Sequence, residues 1–361
     1  MPTLAICGCG RIVEHHLQAL AAAEGGFRVA ALVDPDPVRR RVVSAQCVAL
    51  SLADADAPPA EYASLNEAQV LPLPEIVFIA VPHDLHEDLA CQALASGVHV
   101  VIEKPLAPTL AGCDAIAKAA AAAPGLLFVA EQSPYWQEVA ECKRLLPEIG
   151  TVVSIAATYY ESMRENATSG QDEAGGLGWR KSLARCGGGV VIDGGLHWLR
   201  PMRHLCGDVA AVVGTTANVV PSLGLEGETL AHALLRFESG VVGTFSAIFL
   251  DGAPMAHDAC PFLRVTGTAG ELVVSGEGLR PGGGGLRVYT AASPGGREVF
   301  ADKAWCGPTS GFKGLWAAIA TAVAEGDREA ARAMAAEARA DVAVVLGLYE
   351  SAGSGQWVSM R

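Results

Sequence analysis

A chain of 361 residues with 51% hydrophobic and 18% charged side chains has the composition of a folded globular protein. That length exceeds what one hydrophobic core usually serves, so two domains are expected, with small-molecule chemistry in the cleft they leave. The net charge of -13, without any Lys/Arg-rich run, argues against nucleic acid and anionic membranes as partners, because phosphate contacts need clustered cations.

The ten cysteines are scattered, with only Cys7 and Cys9 close together and no CxxC pair. They read as reduced, mostly core residues, and no cluster has metal-ligand spacing. The stretch after Met1 runs directly into a strand pattern without a signal-like apolar core, and no run approaches about 18 uninterrupted apolar residues. The expected location is the cytoplasm.

Taken in chain order, Thr3 to Cys7 reads as a strand, Ile12 to Ala23 as a helix, and Phe27 to Val33 as a second strand. The second strand ends at Asp34-Pro35, since the residue before proline is pushed to an extended conformation. Glu75 to Val81 is an apolar run suited to a strand buried on both faces. His86 to Ser96 is predicted helical, closed by Gly97, and Val98 to Ile102 and Leu126 to Ala130 are further strands. This alternation specifies βαβ units and a mostly parallel sheet over residues 1–130. Over residues 131–361, strands are expected at Thr151 to Tyr159, Leu230 to Phe237, Val241 to Phe249, Phe262 to Thr266 and Glu271 to Ser275. They lack intervening helices, which suggests an antiparallel sheet, with helices at Gly311 to Gly326 and Ala330 to Glu350 packing on one of its faces. The run Pro281 to Gly285 reads as a surface turn.

Gly8-Cys9-Gly10-Arg11-Ile12-Val13 lies between the first strand and its helix. Glycines there let the backbone approach a pyrophosphate, while the helix N-terminus supplies N–H groups and partial positive charge. Val13 replaces the third small residue of GxGxxG and is expected to loosen helix-to-strand contact. Asp34 stands where an acidic residue accepts hydrogen bonds from ribose hydroxyls, favouring NAD with NADP as the alternative; a plain turn residue before Pro35 is the other reading. Arg39 and Arg40 supply guanidinium groups for adenine or phosphate.

Two stretches carry further chemistry: Ala80-Val81-Pro82-His83-Asp84-Leu85-His86 followed by Val100-Val101-Ile102-Glu103-Lys104-Pro105, and Gly187-Gly188-Gly189-Val190-Val191-Ile192-Asp193-Gly194-Gly195-Leu196-His197. With Gly267 to Leu272 and Tyr349 to Ala352, they resemble the glucose-fructose oxidoreductase, inositol dehydrogenase and MocA-like oxidoreductase family across nearly the whole chain. The resemblance implies an α/β Rossmann domain with a doubly wound parallel sheet, and an α+β substrate domain with a large open, mainly antiparallel sheet that often forms a subunit interface. It further implies NAD or NADP as cofactor, a sugar, inositol or polyol substrate, and a homodimer or homotetramer. Lys104 and His197 are implied to face the nicotinamide with Asp193 beside them, His83 and His86 to lie on the nicotinamide side, and Ala80, Val81, Pro82, Glu103, Trp179 and Arg180 to contact the cofactor. The Lys104-Pro105 bond is implied to be cis.

The residues themselves fit these roles. Asp193 and His197 are four apart, sharing one face of a helix, and Pro201 lies four further on, where it cannot donate to the His197 carbonyl, so the helix is expected to bend behind His197 or begin again there. His197 is assigned as the base for a hydroxyl proton and Lys104 as the cation stabilising developing alkoxide charge, with Asp193 orienting His197 or binding a second hydroxyl. Lys104 as the base is the reverse assignment. Tyr135, Tyr159, Tyr160 and Arg164 are candidates for the substrate cleft. Transient sugar oxidation followed by elimination, or a regulator that binds NAD without turnover, are the competing functions.

Overall fold

A computed structural model describes residues 1–23, 26–68, 74–163, 177–252, 261–275, 285–301 and 309–360. Arg164, most of the Asn166 to Gly178 loop and the turn at 281–284 lie outside the described residues. The chain forms two compact units, Met1–Gln132 with Pro308–Arg339, and Ser133–Gly307 with Ala340–Arg361.

In the first unit, strands β1 (Thr3–Cys7), β2 (Arg28–Val33), β3 (Ala60–Tyr62), β4 (Ile76–Ile79), β5 (His99–Glu103) and β6 (Leu127–Ala130) form one parallel sheet. Helices α1 (Ile12–Ala22), α2 (Pro37–Ala49), α3 (Leu65–Ala68), α4 (His86–Ala95) and α5 (Leu110–Ala122) connect the strands. Every residue of β4 and β6 is buried, which is why these strands read as continuous apolar runs. Caps fix the helix starts: Asp36 accepts from Val38 N–H ahead of Pro37, and Thr109 accepts from Gly112 N–H. The strand order β3-β2-β1-β4-β5-β6 reverses direction between β1 and β4, so a crevice opens there at the carboxyl ends of the strands.

In the second unit, helices α6 (Gln137–Leu145), α7 (Leu183–Cys186) and α8 (Leu196–Cys206) accompany a nine-stranded sheet. Its strands are β7 (Val152–Ser162), β8 (Val209–Ala217), β9 (Leu230–Phe237), β10 (Val242–Leu250), β11 (Pro261–Gly267), β12 (Gly270–Ser275), β13 (Gly285–Thr290), β14 (Ser293–Ala301) and β15 (Val358–Ser359). They run in the order β14-β13-β12-β11-β7-β10-β9-β8-β15, antiparallel except for the β7–β10 pair. On β9, Ala231, Ala233, Leu235 and Phe237 are buried while His232, Leu234 and Arg236 are exposed, so one face carries the core and the other is open.

Two long helices end the fold, α9 (Thr309–Glu325) and α10 (Arg328–Ser354). The sequence places both on the antiparallel sheet; α9 instead packs on α1 in the first unit, burying Phe312, Leu315, Trp316 and Ile319. Amphipathic spacing establishes that such a helix has a core face but not which core receives it. Among the described residues no helix is long and apolar enough to cross a membrane, and the described cysteines are all free thiols.

Candidate active site

The loop after β1 is shaped by close backbone approach. Gly8 has φ +92°, and a Cβ there would lie 2.2 Å from the Ala80 carbonyl oxygen beyond β4. Gly10 has nothing within 4 Å of its corresponding position, so its backbone borders open space of the kind a diphosphate needs. Asp34, buried at the end of β2, ties the loop down: one carboxylate oxygen accepts Cys9 N–H at 2.8 Å and the other accepts Asp36 N–H at 2.8 Å. Val13 is fully buried, so its bulk is absorbed in packing at the start of α1. Arg39 pairs with Asp36, and Arg40 donates to the Asp34 carbonyl and to Glu61. These residues suit a dinucleotide: an open glycine backbone, the start of a helix, and an anchored carboxylate at the neighbouring strand end.

Lys104 follows β5 directly and is joined to Pro105 by a cis bond, as the resemblance implies. Its main-chain N–H donates to Glu103 Oε2 at 3.0 Å, and Glu103 Oε1 lies 2.7 Å from His16 Nε2. His86 is completely buried, with Nδ1 2.8 Å from the Pro105 oxygen and Nε2 3.1 Å from the Val81 oxygen. Carbonyls only accept, so a neutral ring donates to one of the two, and burial pushes the His86 pKa down toward that neutral form. His83, also buried, makes an edge contact with His86.

In the second unit, Asp193 occupies a π-helical turn, Val191–Gly195, that runs straight into α8. Glu228 grips this segment by accepting N–H groups from Gly189 (2.7 Å) and Val191 (3.0 Å), and Tyr349 donates its hydroxyl to the same carboxylate. Gly194 is required by crowding, because a Cβ there would meet the Tyr159 hydroxyl at 2.1 Å. Asp193 is buried and accepts from Arg180 Nε at 2.6 Å, while the Arg180 guanidinium lies 4.6 Å above the Trp179 ring. Burial opposes the Arg180 charge, but Asp193 outweighs it and pushes the guanidinium pKa above its ordinary value. His197 follows within one turn, half-buried, with its ring 6.4 Å from Trp136.

Two profiles of one family match this chain: an oxidoreductase family with an NAD-binding Rossmann fold over residues 3–131, and the GFO/IDH/MocA C-terminal domain over residues 140–273. The chain belongs to the GFO/IDH/MocA oxidoreductase family. A proposed UDP-kanosamine synthase oxidoreductase subunit of Amycolatopsis mediterranei is 30% identical over 216 residues, 59% of this chain and 55% of that protein, so the chain spans about half its length. D-apiose dehydrogenase of Paraburkholderia graminis is 29% identical over 80% of this chain and 72% of its own. An Agrobacterium radiobacter oxidoreductase, solved with NAD+, L-tartaric acid and magnesium, superposes with a TM-score of 0.81 at 20% identity, covering 99% of this chain and 98% of that one.

In this GFO/IDH/MocA chain several residues have neighbours that the sequence does not show. The helix holding His197 does not begin again at Pro201 but continues through it, and a π turn precedes it directly. Asp193 finds Arg180 13 positions earlier, beyond α7, a pairing that spacing does not reveal. Glu103, assigned to the cofactor, is buried against His16, and His86 is enclosed between two carbonyls. Tyr160 projects from the open face of β7, because its neighbour Tyr159 turns inward onto Gly194 and strand residues alternate. Tyr159 is therefore the β7 tyrosine beside the Asp193 turn. Tyr135 is half-buried just before α6, and burial pushes its pKa up.

Proposed function

We propose that this protein is an NAD-dependent dehydrogenase or reductase acting on a hydroxyl or keto carbon of a sugar, inositol or related polyol. The observation that carries the reading is the open Gly10 backbone tied through Cys9 to Asp34 at the β1/β4 crevice. Asp34 accepts from ribose hydroxyls with its remaining lone pairs and repels a 2′-phosphate, which favours NAD over NADP. NAD, when bound, supplies the ring carbon that takes up or gives back a hydride. Lys104 places its ammonium by the reacting oxygen and stabilises the negative charge that grows there as the proton leaves. His197 takes that proton, and Asp193, held by Arg180, presents a fixed carboxylate to a further hydroxyl. The dehydrogenase named for D-apiose supports a small polyhydroxylated substrate.

The test is a sugar and polyol panel with NAD and with NADP, followed by absorbance of the reduced cofactor. Lys104→Ala is expected to abolish turnover, a loss of about 10³-fold or more, while NAD affinity stays within about fivefold. Full activity in that variant removes Lys104 from the mechanism. Product formed without net reduced cofactor moves the assignment to redox-assisted elimination.

A further inference from the structure

His16 sits on α1 with no solvent exposure, its ring packed against Phe78 and Phe312. Its nitrogens face different partners. Trp316 on α9 donates its indole N–H to Nδ1 at 2.9 Å, and an indole N–H only donates, so Nδ1 is the unprotonated nitrogen. The ring proton is therefore on Nε2, directed at Glu103 Oε1 at 2.7 Å, while Glu103 Oε2 accepts the Lys104 N–H at 3.0 Å. A doubly protonated ring would set one N–H against another. The chain of donors thus runs one way, from Trp316 through His16 and Glu103 to the main chain of Lys104. On the following residue, the Pro105 oxygen lies 2.8 Å from His86 Nδ1.

We propose that His16 is a positioning residue for Lys104, locked in one tautomer by Trp316 and acting through Glu103. This rests on the role given to Lys104 above. Packing alone does not account for the arrangement. A pocket lined by Phe78, Phe312 and Trp316 would accept apolar side chains at positions 16 and 103, and such a pair avoids the desolvation cost of a buried imidazole and carboxylate. What the polar pair adds is direction: each carboxylate oxygen has its own donor, so Glu103 has one orientation and the Lys104 backbone is fixed with it.

The experiment compares His16→Leu with His16→Gln. Glutamine offers an amide N–H and an amide oxygen in place of the two ring nitrogens and does not titrate; leucine fills the space and offers neither. Steady-state kinetics and NAD binding are measured, and Lys104 is observed directly by NMR of ¹³C-methyl groups added by reductive methylation, with the signal assigned through Lys104→Arg. His16→Leu is expected to lower kcat by about 10- to 100-fold with KM and NAD affinity nearly unchanged, and to displace the Lys104 signal. His16→Gln is expected to return kcat to within about threefold of wild type and the signal to its original position. A Lys104 signal identical in wild type and His16→Leu overturns the proposal, as does a glutamine variant no better than leucine. If the wild type turns over no sugar or polyol, the functional reading fails while the NMR comparison still decides the positioning role. If His16→Leu does not fold, Trp316→Phe removes the donor to Nδ1 and keeps an aromatic ring; a smaller displacement of the Lys104 signal is expected, and an unmoved signal overturns the proposal.

Discussion

Alanine at Gly8 and alanine at Gly10 separate the two requirements placed on the β1–α1 loop. At Gly8 the φ of +92° costs an L-residue about 1–2 kcal/mol. The added Cβ would stand 2.2 Å from the Ala80 oxygen, so loop or strand end must retreat by more than about 1 Å to regain ordinary contact. That retreat stretches the Gly8 N–H bond to the Val33 oxygen and the Cys9 N–H bond to Asp34, both 2.8 Å, worth about 1 kcal/mol and about 1.5–3 kcal/mol. Gly8→Ala is therefore expected to lose about 3–6 kcal/mol of stability in the absence of cofactor, read from urea unfolding followed by circular dichroism. At Gly10 the new methyl meets no protein atom, and the smaller unfolded-state entropy leaves stability unchanged or raised by up to about 1 kcal/mol. The same methyl projects into the space assigned to the diphosphate, so NAD affinity by calorimetry is expected to fall at least about tenfold, about 1.4 kcal/mol. Wild-type stability in Gly8→Ala refutes the crowding argument; wild-type NAD affinity in Gly10→Ala refutes the placement of the cofactor.

Asp34→Ser removes both the repulsion toward a 2′-phosphate and the clasp on Cys9 N–H. NAD affinity is expected to fall and the NADP-to-NAD affinity ratio to rise by about tenfold or more, checked by titrating both cofactors. Asp341→Ala leaves Arg200 and Arg203 buried in the second unit without their shared carboxylate, so unfolding midpoints should report a loss of about 3–5 kcal/mol. Arg339→Ala breaks an exposed pair with Asp114 and should leave the unfolding midpoint nearly unchanged.

What the sequence reveals follows from how local each cause is. Five strands of the first sheet are legible to within a residue or two because burial writes them as apolar runs bounded by Gly8, Asp34 and Gly97, whereas β3, three residues long and largely exposed, carries no such run and is not predicted. Helix α2 gives a weaker signal: Arg39, Arg40 and Arg41 are consecutive, and Val43 and Cys47 are its buried positions. Strands β8, β13 and β14 are rich in Ala, Gly and Thr or partly exposed, so alternation is faint in them. In the site, glycine loop, Asp34, Lys104 and the Asp193 turn are legible because each depends on neighbours along the chain. The Asp193 partner is not, since Arg180 lies 13 positions earlier on the far side of α7. His16 is less legible still: on α1 it reads as an ordinary helix residue, and its partners lie 87 and 300 positions away.

The return of the chain to its first unit has a consequence for where the dinucleotide half ends. Residues 1–132 contain the whole parallel sheet and the glycine loop. Yet Trp316, supplied by α9, makes edge contacts with Phe27 and Phe78 and donates to His16. Without α9 those aromatic side chains face water, and His16 Nδ1 loses the donor that fixes its tautomer, so the proton on Nε2 is no longer committed to Glu103. An apolar surface of that kind favours association, and an uncommitted imidazole weakens the hold on the Lys104 backbone. The cofactor half is therefore physically complete only with a helix encoded about 180 residues beyond its last strand, and a fragment ending at Gln132 is expected to aggregate where the whole chain does not.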